Sequence, residues 1–286
     1  MTTLDLIVDP FTQYAFMRRA LASCVILAIG GTPLGVFMTL RRMTLMGDAM
    51  SHAILPGVAL AFVSSGLALL PMTLGGLAAG VFVALFAVFL TRFTSMKEDA
   101  SFTLLYLLSL AGGVIIISLK GSNVDLLHML FGNILAIDTD SLTLMAVVAC
   151  ATLFTLAGFY RGLVIECFDP DFARAAQRGR SWASVIFFVL LVINLIAAFQ
   201  ALGTLMALGL MILPAIATRF WTRNIDTIIP LSILCALVAS VIGLLTSYYT
   251  KIPAGPAVVM TAGTISLLSA MLGRHGSVYA YIRNWD

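Results

Sequence analysis

A carboxylate and an imidazole stand four residues apart in the segment GDAMSHAILPG, residues 47–57. Asp48 and His52 have mostly apolar neighbours, and positions i and i+4 lie on the same face of a helix. A carboxylate oxygen and a neutral imidazole nitrogen suit borderline divalent metals such as zinc, manganese and iron. The spacing therefore predicts that this pair can contact one metal ion.

A proline follows the histidine after one helical turn. Pro56 has no backbone N–H, so the carbonyl of His52 should lose its usual partner, and a kink is favoured. Gly47 and Gly57 carry no side chain, which permits another backbone to approach closely. The sequence thus predicts a polar, deformable spot within an apolar helix.

Other interpretations of the pair stay open from the residues alone. Asp48 lies a few positions after Arg41 and Arg42 and could pair with an arginine at the membrane surface. His52 could form a hydrogen bond across helices as a packing residue. The two side chains could also relay protons in a secondary metal transporter that is driven by an ion gradient and not by ATP.

The pair belongs to a very apolar chain. Of its 286 residues, 61% are hydrophobic and only 10% are charged, and the mean hydropathy is +1.07. Soluble domains carry roughly 25% charged residues, so this chain has too little polar surface to cover a water-soluble globule. We therefore expect an all-α integral membrane protein with a single transmembrane domain over residues 1–286.

Apolar stretches recur along the whole chain and predict a polytopic bundle of about eight or nine transmembrane helices, each needing roughly 20 residues. The seventh stretch is the shortest and contains Pro214, which favours a bend. It could be a full span or a broken, partly re-entrant segment. The predicted stretches are 16–40, 45–65, 69–91, 101–119, 140–160, 182–202, 203–219, 227–249 and 254–273.

The charges between the spans indicate an orientation. With the N-terminus outside and nine spans, twelve of the 16 basic residues fall in cytoplasmic loops or in a cytoplasmic C-terminal tail. This distribution agrees with the excess of lysine and arginine on the cytoplasmic side of membrane proteins. The four basic residues left outside are Arg18, Arg19, Lys120 and Lys251.

The connection at residues 120–139 is longer than a turn and should lie outside. It is apolar enough to form a short helix on the membrane surface. Asp125 and His128 within it could meet an incoming ion or a partner protein, and a merely solvated loop surface is an equal alternative.

The connection at residues 161–181 should be cytoplasmic. Asp169 followed by a proline is typical of a helix start, and Gly179 is typical of a helix end. The sequence therefore predicts a short charged helix, which could dock a partner or simply connect two spans.

Missing motifs argue against several classes of function. The sequence has no GxxxxGK[ST] phosphate loop, so ATP hydrolysis by that route would belong to a separate chain. It has no HExxH or GxSxG motif, and the chain is not expected to be an enzyme.

The basic residues are scattered between the spans, so no nucleic-acid partner is expected. The four cysteines show no paired spacing and are assigned neither a disulfide nor a metal.

Five segments together resemble the permease subunits of bacterial ABC importers for zinc, manganese and iron, the membrane partners of cluster-9-type metal-binding proteins. They occur in the family's order and span most of the chain. The first and the fourth are the most specific. The segments are LRRMTLMGDAMSHAILPGVALAF (40–62), LFGNIL (130–135), FDPDFARAAQRG (168–179), LGTLMALGLMILPAIATR (202–219) and IPAGPAVVM (252–260).

The resemblance implies the fold, the partners and the roles of particular residues. The fold would be similar to the type II permeases of the vitamin B12 and siderophore importers. The permease would pair with a second copy of itself, two ATP-binding subunits and an extracytoplasmic metal-binding protein, in the bacterial inner membrane. Residues 168–179 match the family's coupling helix, which would place Asp169, Ala173 and Gly179 against the ATPase.

The resemblance also bears on the transported ion. Asp48 and His52 match the aspartate and histidine of the family's second helix, which is implicated in the metal path. No cofactor would be bound permanently, because the metal is cargo and ATP belongs to the partner subunit. Zinc is favoured over manganese and iron, since the outer loop is similar to that of some zinc-assigned members.

Overall fold

The computed structural model describes residues 3–66, 69–94, 96–119, 137–168 and 182–277, and every regular element within these ranges is an α-helix. We number the described helices in chain order. They are α1 (Thr3–Gln13), α2 (Ala15–Gly30), α3 (Thr32–Leu40), α4 (Met46–Ala53), α5 (Leu55–Ser65), α6 (Leu69–Phe93), α7 (Glu98–Leu119), α8 (Thr139–Phe168), α9 (Trp182–Leu202), α10 (Thr204–Arg219), α11 (Ile225–Thr250) and α12 (Ala254–Leu272).

The described part of the chain contains seven helical stretches that are long and apolar enough to cross a membrane, or eight if a bent pair counts as one span. The predicted all-α, multi-pass architecture is therefore confirmed. Helix α10 has 16 residues and a length of about 24 Å at 1.5 Å per residue. It is an apolar helix shorter than a full span, at the position of the seventh predicted stretch.

The first predicted span, residues 16–40, is not one straight helix. The structure divides it into α2 and α3, which are bent by 42° at Gly31. Pro33 stands in the first turn of α3, where it cannot donate a hydrogen bond to the preceding helix. Because the missing N–H interrupts the helical ladder, the chain changes direction at this point.

One helix and one helix boundary were not predicted. Helix α1 precedes the first predicted span and lacks the long apolar run on which span prediction depends. Helix α8 continues to Phe168, although the apolar stretch was expected to end near residue 160. Arg161 and Glu166 lie in its C-terminal part. Because the helix has 30 residues, this charged end can extend past the membrane.

The chain divides into two compact units. The first comprises residues 1–42, 128–151 and 197–286, and it therefore contains α1, α2, α3, α10, α11 and α12. Its helices approach closely: a Cβ atom added to Gly35 would lie 2.0 Å from the carbonyl oxygen of Met211. Buried hydroxyl groups of Thr218 and Ser232 lie 2.7 Å apart and join α10 to α11.

The second unit comprises residues 43–127 and 152–196 and contains α4 to α7 with parts of α8 and α9. Helices α5 and α6 cross at Gly57 and Gly75, where an added Cβ on Gly57 would lie 2.0 Å from the carbonyl oxygen of Gly75. The rings of Phe102 and Phe188 pack with their centroids 4.8 Å apart. Small residues at one crossing and large rings at another thus set the helix spacing inside this unit.

Polar side chains also join helices within the second unit. The buried amide of Asn194 on α9 donates to the hydroxyl of Thr152 on α8 at 2.6 Å and to the carbonyl of Leu190 at 2.9 Å. Nearer the end of α8, the hydroxyl of Ser184 donates to the carboxylate of Glu166. The Asn194 bonds satisfy a polar group that would otherwise be left in hydrocarbon.

Candidate functional site

The predicted metal-binding pair lies on α4, a helix of eight residues that is followed by a break. The helical ladder stops at Ala53, Ile54 forms a turn, and α5 begins at Leu55 with Pro56 in its first turn. A proline is tolerated in the first turn because its missing N–H would have no partner there in any case. The sequence therefore produces two short helices in one span, and the pair occupies the first.

The two faces of α4 differ sharply in burial. Met46, Met50 and Ala53, at helical spacing, are 1%, 2% and 0% exposed. Asp48 is exposed and His52 is half-buried in the single chain. The buried methionine face anchors α4 in its unit, so the carboxylate and the imidazole point away from that packing and stay accessible.

The Asp48 carboxylate also has a favourable electrostatic position. It belongs to the first turn of α4, where the positive end of the helix dipole favours a negative charge. The hydroxyl of Ser51 donates to the backbone carbonyl of Asp48 at 2.6 Å, which leaves the carboxylate itself out of this contact. The Asp48 side chain is exposed in the single chain, and a carboxylate there could accept a cation.

The carbonyl of His52 cannot receive the usual helical hydrogen bond, because residue 56 is a proline. The backbone N–H of Ile54 points toward this oxygen in the turn that ends α4. The next carbonyl, that of Ala53, accepts a hydrogen bond from the hydroxyl of Ser109 on α7 at 2.7 Å. The break is therefore closed by a local turn and a neighbouring helix.

An aromatic side chain borders the imidazole. Tyr106 on α7 has its ring centroid 6.5 Å from that of His52, and the two planes are inclined by 32°. This distance lies within the range of ring contacts in proteins. One side of the imidazole is thus restricted, while Asp48 lies on the same face of α4 one turn earlier.

The number of ligands available to a metal is small. Among the described residues, no group of three or more His, Cys, Asp or Glu side chains comes together in a metal-binding arrangement. Asp48 and His52 would provide two ligands from one chain, whereas structural zinc sites use four. The arrangement suits an ion that is held briefly and released.

The other predicted residues are distributed as follows. Pro214 is buried inside α10, which continues through it without interruption. The predicted coupling residues Asp169, Ala173 and Gly179 lie outside the described part of the chain. Two further candidates in the outer connection, Asp125 and His128, also lie outside it.

Sequence reasoning missed the contribution of α7. Tyr106, Ser109 and Gly113 are spaced by three and four residues, so they form one stripe along this helix. Their position in the apolar run SFTLLYLLSLAGG was a usable signal, because a tyrosine and a serine at helical spacing stand out among leucines. Their partner helix could not be read from that spacing.

Comparison with known proteins places the chain in a family. It matches the ABC 3 transport family over residues 13–273. It is 31% identical over 257 residues to the manganese import system permease protein ScaB of Streptococcus gordonii. The aligned region covers 90% of this chain and 91% of ScaB. It is 30% identical over 256 residues to the chelated iron transport system membrane protein YfeD of Yersinia pestis, covering 90% and 84% of the two chains.

A solved structure supports the same assignment. PsaBC from Streptococcus pneumoniae, in complex with Fab, matches with a TM-score of 0.79 and 30% sequence identity, covering 99% of this chain and all of the matched one. The permease fold that the sequence resemblance implied is therefore confirmed. The chain belongs to the ABC 3 transport family and is a multi-pass permease subunit of an ABC metal importer.

Proposed function

We propose that this permease carries a divalent transition metal into the cytoplasm and that Asp48 and His52 hold the ion during transit. The observation that carries the proposal is the division of α4 into a buried methionine face and an accessible face with both ligands. An exposed carboxylate and a half-buried imidazole, one turn apart in a membrane span, are expensive to keep in lipid and usually mark an ion pathway.

Ligand chemistry and the names of the relatives both bear on which ion is carried. Carboxylate and imidazole ligands accept manganese, iron and zinc. The relatives are named for manganese and chelated iron, which favours manganese or iron. Zinc, the preference drawn from the outer loop, is the third candidate and competes well at such ligands because its affinity generally exceeds that of manganese.

The transport cycle that we propose uses partners outside this chain. An extracytoplasmic binding protein delivers the metal to a pair of permease copies in the bacterial inner membrane. Two ATP-hydrolysing subunits act on residues 168–179, with Asp169, Ala173 and Gly179 at the contact. The N-terminus lies outside and the C-terminus in the cytoplasm. Asp48 and His52 hold the ion briefly on its way to release inside.

Uptake measurements test the role of the pair. We compare Asp48→Asn and His52→Gln, which keep the side-chain volume, with Asp99→Asn, a control in the first turn of α7. Cells expressing the complete importer at equal membrane abundance receive radiolabelled manganese, iron or zinc. Loss of a ligand should reduce uptake on the order of tenfold or more, while the control transports normally. Normal uptake by both ligand variants would overturn the proposal.

The energy source separates this proposal from a gradient-driven transporter. In an ABC importer, uptake should stop when the partner subunits carry a substitution in their phosphate loop. If Asp48 and His52 instead relay protons, uptake should continue with that substitution and collapse when an ionophore dissipates the proton gradient. Metal uptake in vesicles under both conditions gives the answer.

A further inference from the structure

Helix α7 runs along the break between α4 and α5 with three residues of one stripe. Tyr106 meets the ring of His52, and Ser109 binds the carbonyl of Ala53 at 2.7 Å. One turn further, a Cβ added to Gly113 would lie 3.1 Å from the backbone nitrogen of Pro56. The stripe therefore follows the broken helix from the imidazole to the proline.

The hydroxyl of Ser109 bonds to a carbonyl outside its own helix, as the hydroxyl of Ser266 does to the carbonyl of Leu213. Hydroxyl groups in helices commonly bond to a carbonyl three or four residues earlier, as Ser64 does to Ala61 and Ser240 to Ala236. Ser109 instead reaches a carbonyl 56 residues away.

In an uninterrupted helix, the carbonyl of Ala53 would accept the backbone N–H of Gly57 four residues later. The Ser109 hydroxyl occupies that acceptor at the break. In a membrane, a released carbonyl has no water to turn to, and serine hydroxyls on neighbouring helices are among the groups that can satisfy it.

We propose that Ser109 is a positioning residue for metal transfer: its hydrogen bond to Ala53 fixes the last turn of α4 and so holds His52 at a set distance from Asp48. Tyr106 limits the rotation of the imidazole from the same helix. This inference rests on the proposed function, since it concerns the geometry of the same two ligands. A metal held by only two side chains from one chain depends strongly on how well they are pre-positioned.

The test measures binding of Mn²⁺ to the purified importer complex without its binding protein, by loss of the electron paramagnetic resonance signal of free Mn²⁺. Ser109→Ala should weaken binding by about three- to twentyfold, which corresponds to the range of energies of interhelical hydrogen bonds in membrane proteins. Ser109→Thr, which keeps the hydroxyl, should bind within about twofold of the wild type. Ser64→Ala, which removes a hydroxyl bound within its own helix, is the matched control and should bind normally.

The possible outcomes separate this inference from the proposed function. A merely structural serine would lower the yield or melting temperature of Ser109→Ala and leave the Mn²⁺ affinity of the folded complex unchanged, which would overturn the inference alone. Equal weakening in Ser109→Ala and Ser109→Thr would also overturn it, because the hydroxyl would then be irrelevant. If Asp48→Asn binds Mn²⁺ as tightly as the wild type, the proposed function fails, and the inference fails with it.

Discussion

The crossing of α5 and α6 offers a quantitative prediction for Gly57→Ala. A Cβ atom at this position would lie 2.0 Å from the carbonyl oxygen of Gly75 and 2.6 Å from the Cβ of Ala79. Ordinary van der Waals contact begins at 3.4 Å. Both obstacles are backbone or Cβ atoms, so no change of rotamer can relieve the clash. The helices would have to separate locally by roughly 1.4 Å to reach ordinary contact.

The expected cost combines two opposing effects. Overpacking a well-packed helix contact typically costs about 1–3 kcal/mol, and the upper end applies here because the backbone itself is obstructed. Alanine in place of glycine inside a helix gains about 1 kcal/mol. The net loss is then about 2 kcal/mol, which corresponds to a decrease in melting temperature of about 4–8 °C for a chain of this size class.

Gly112→Ala in α7 provides the control. A Cβ atom there would meet no other atom within 4 Å, so only the gain in helix propensity applies and the melting temperature should rise by about 2–4 °C. Thermal unfolding of the purified complex in detergent, followed by the helical circular dichroism signal, gives both values. If Gly57→Ala melts at or above the temperature of Gly112→Ala, the close crossing of α5 and α6 is wrong.

Two further predictions concern polar groups. Asn194→Leu removes the donors to Thr152 and Leu190 and should lower the free energy of unfolding by about 1 kcal/mol. A double-mutant cycle with Thr152→Val measures the interaction energy between the two side chains, and additive effects of the two substitutions would contradict the hydrogen bond between Asn194 and Thr152. Hydrogen bonds from the hydroxyl and backbone N–H of Ser141 hold the pKa of Asp138 below its usual value of 3.8. The depressed pKa stabilises the fold above the pKa of the unfolded chain, and this contribution disappears as the pH falls through the folded-state value. Asp138→Asn should therefore lose slightly less stability than the wild type on acidification from about pH 7 to about pH 3, and an equal loss in melting temperature would refute the assignment.

The sequence was sufficient to predict the helical class and the candidate ligands. Apolar stretches of roughly 20 residues leave few alternatives to membrane helices, because every backbone polar group in lipid must be paired within the segment. The spacing of Asp48 and His52 identified the pair, since a period of 3.6 residues is a local property of the helix. The proline after them marked the position of the break within a few residues.

Only the tertiary structure decided how that break is completed. The partner of the Ala53 carbonyl is the hydroxyl of Ser109, far along the chain, and no local rule relates the two positions. The bend of 42° between α2 and α3 was likewise missed, although Pro33 is visible in the sequence, because a proline can be accommodated in a helix or end it depending on the surrounding packing. Periodicity and span length are encoded locally, whereas the choice of neighbour for a polar or small residue depends on how distant helices pack.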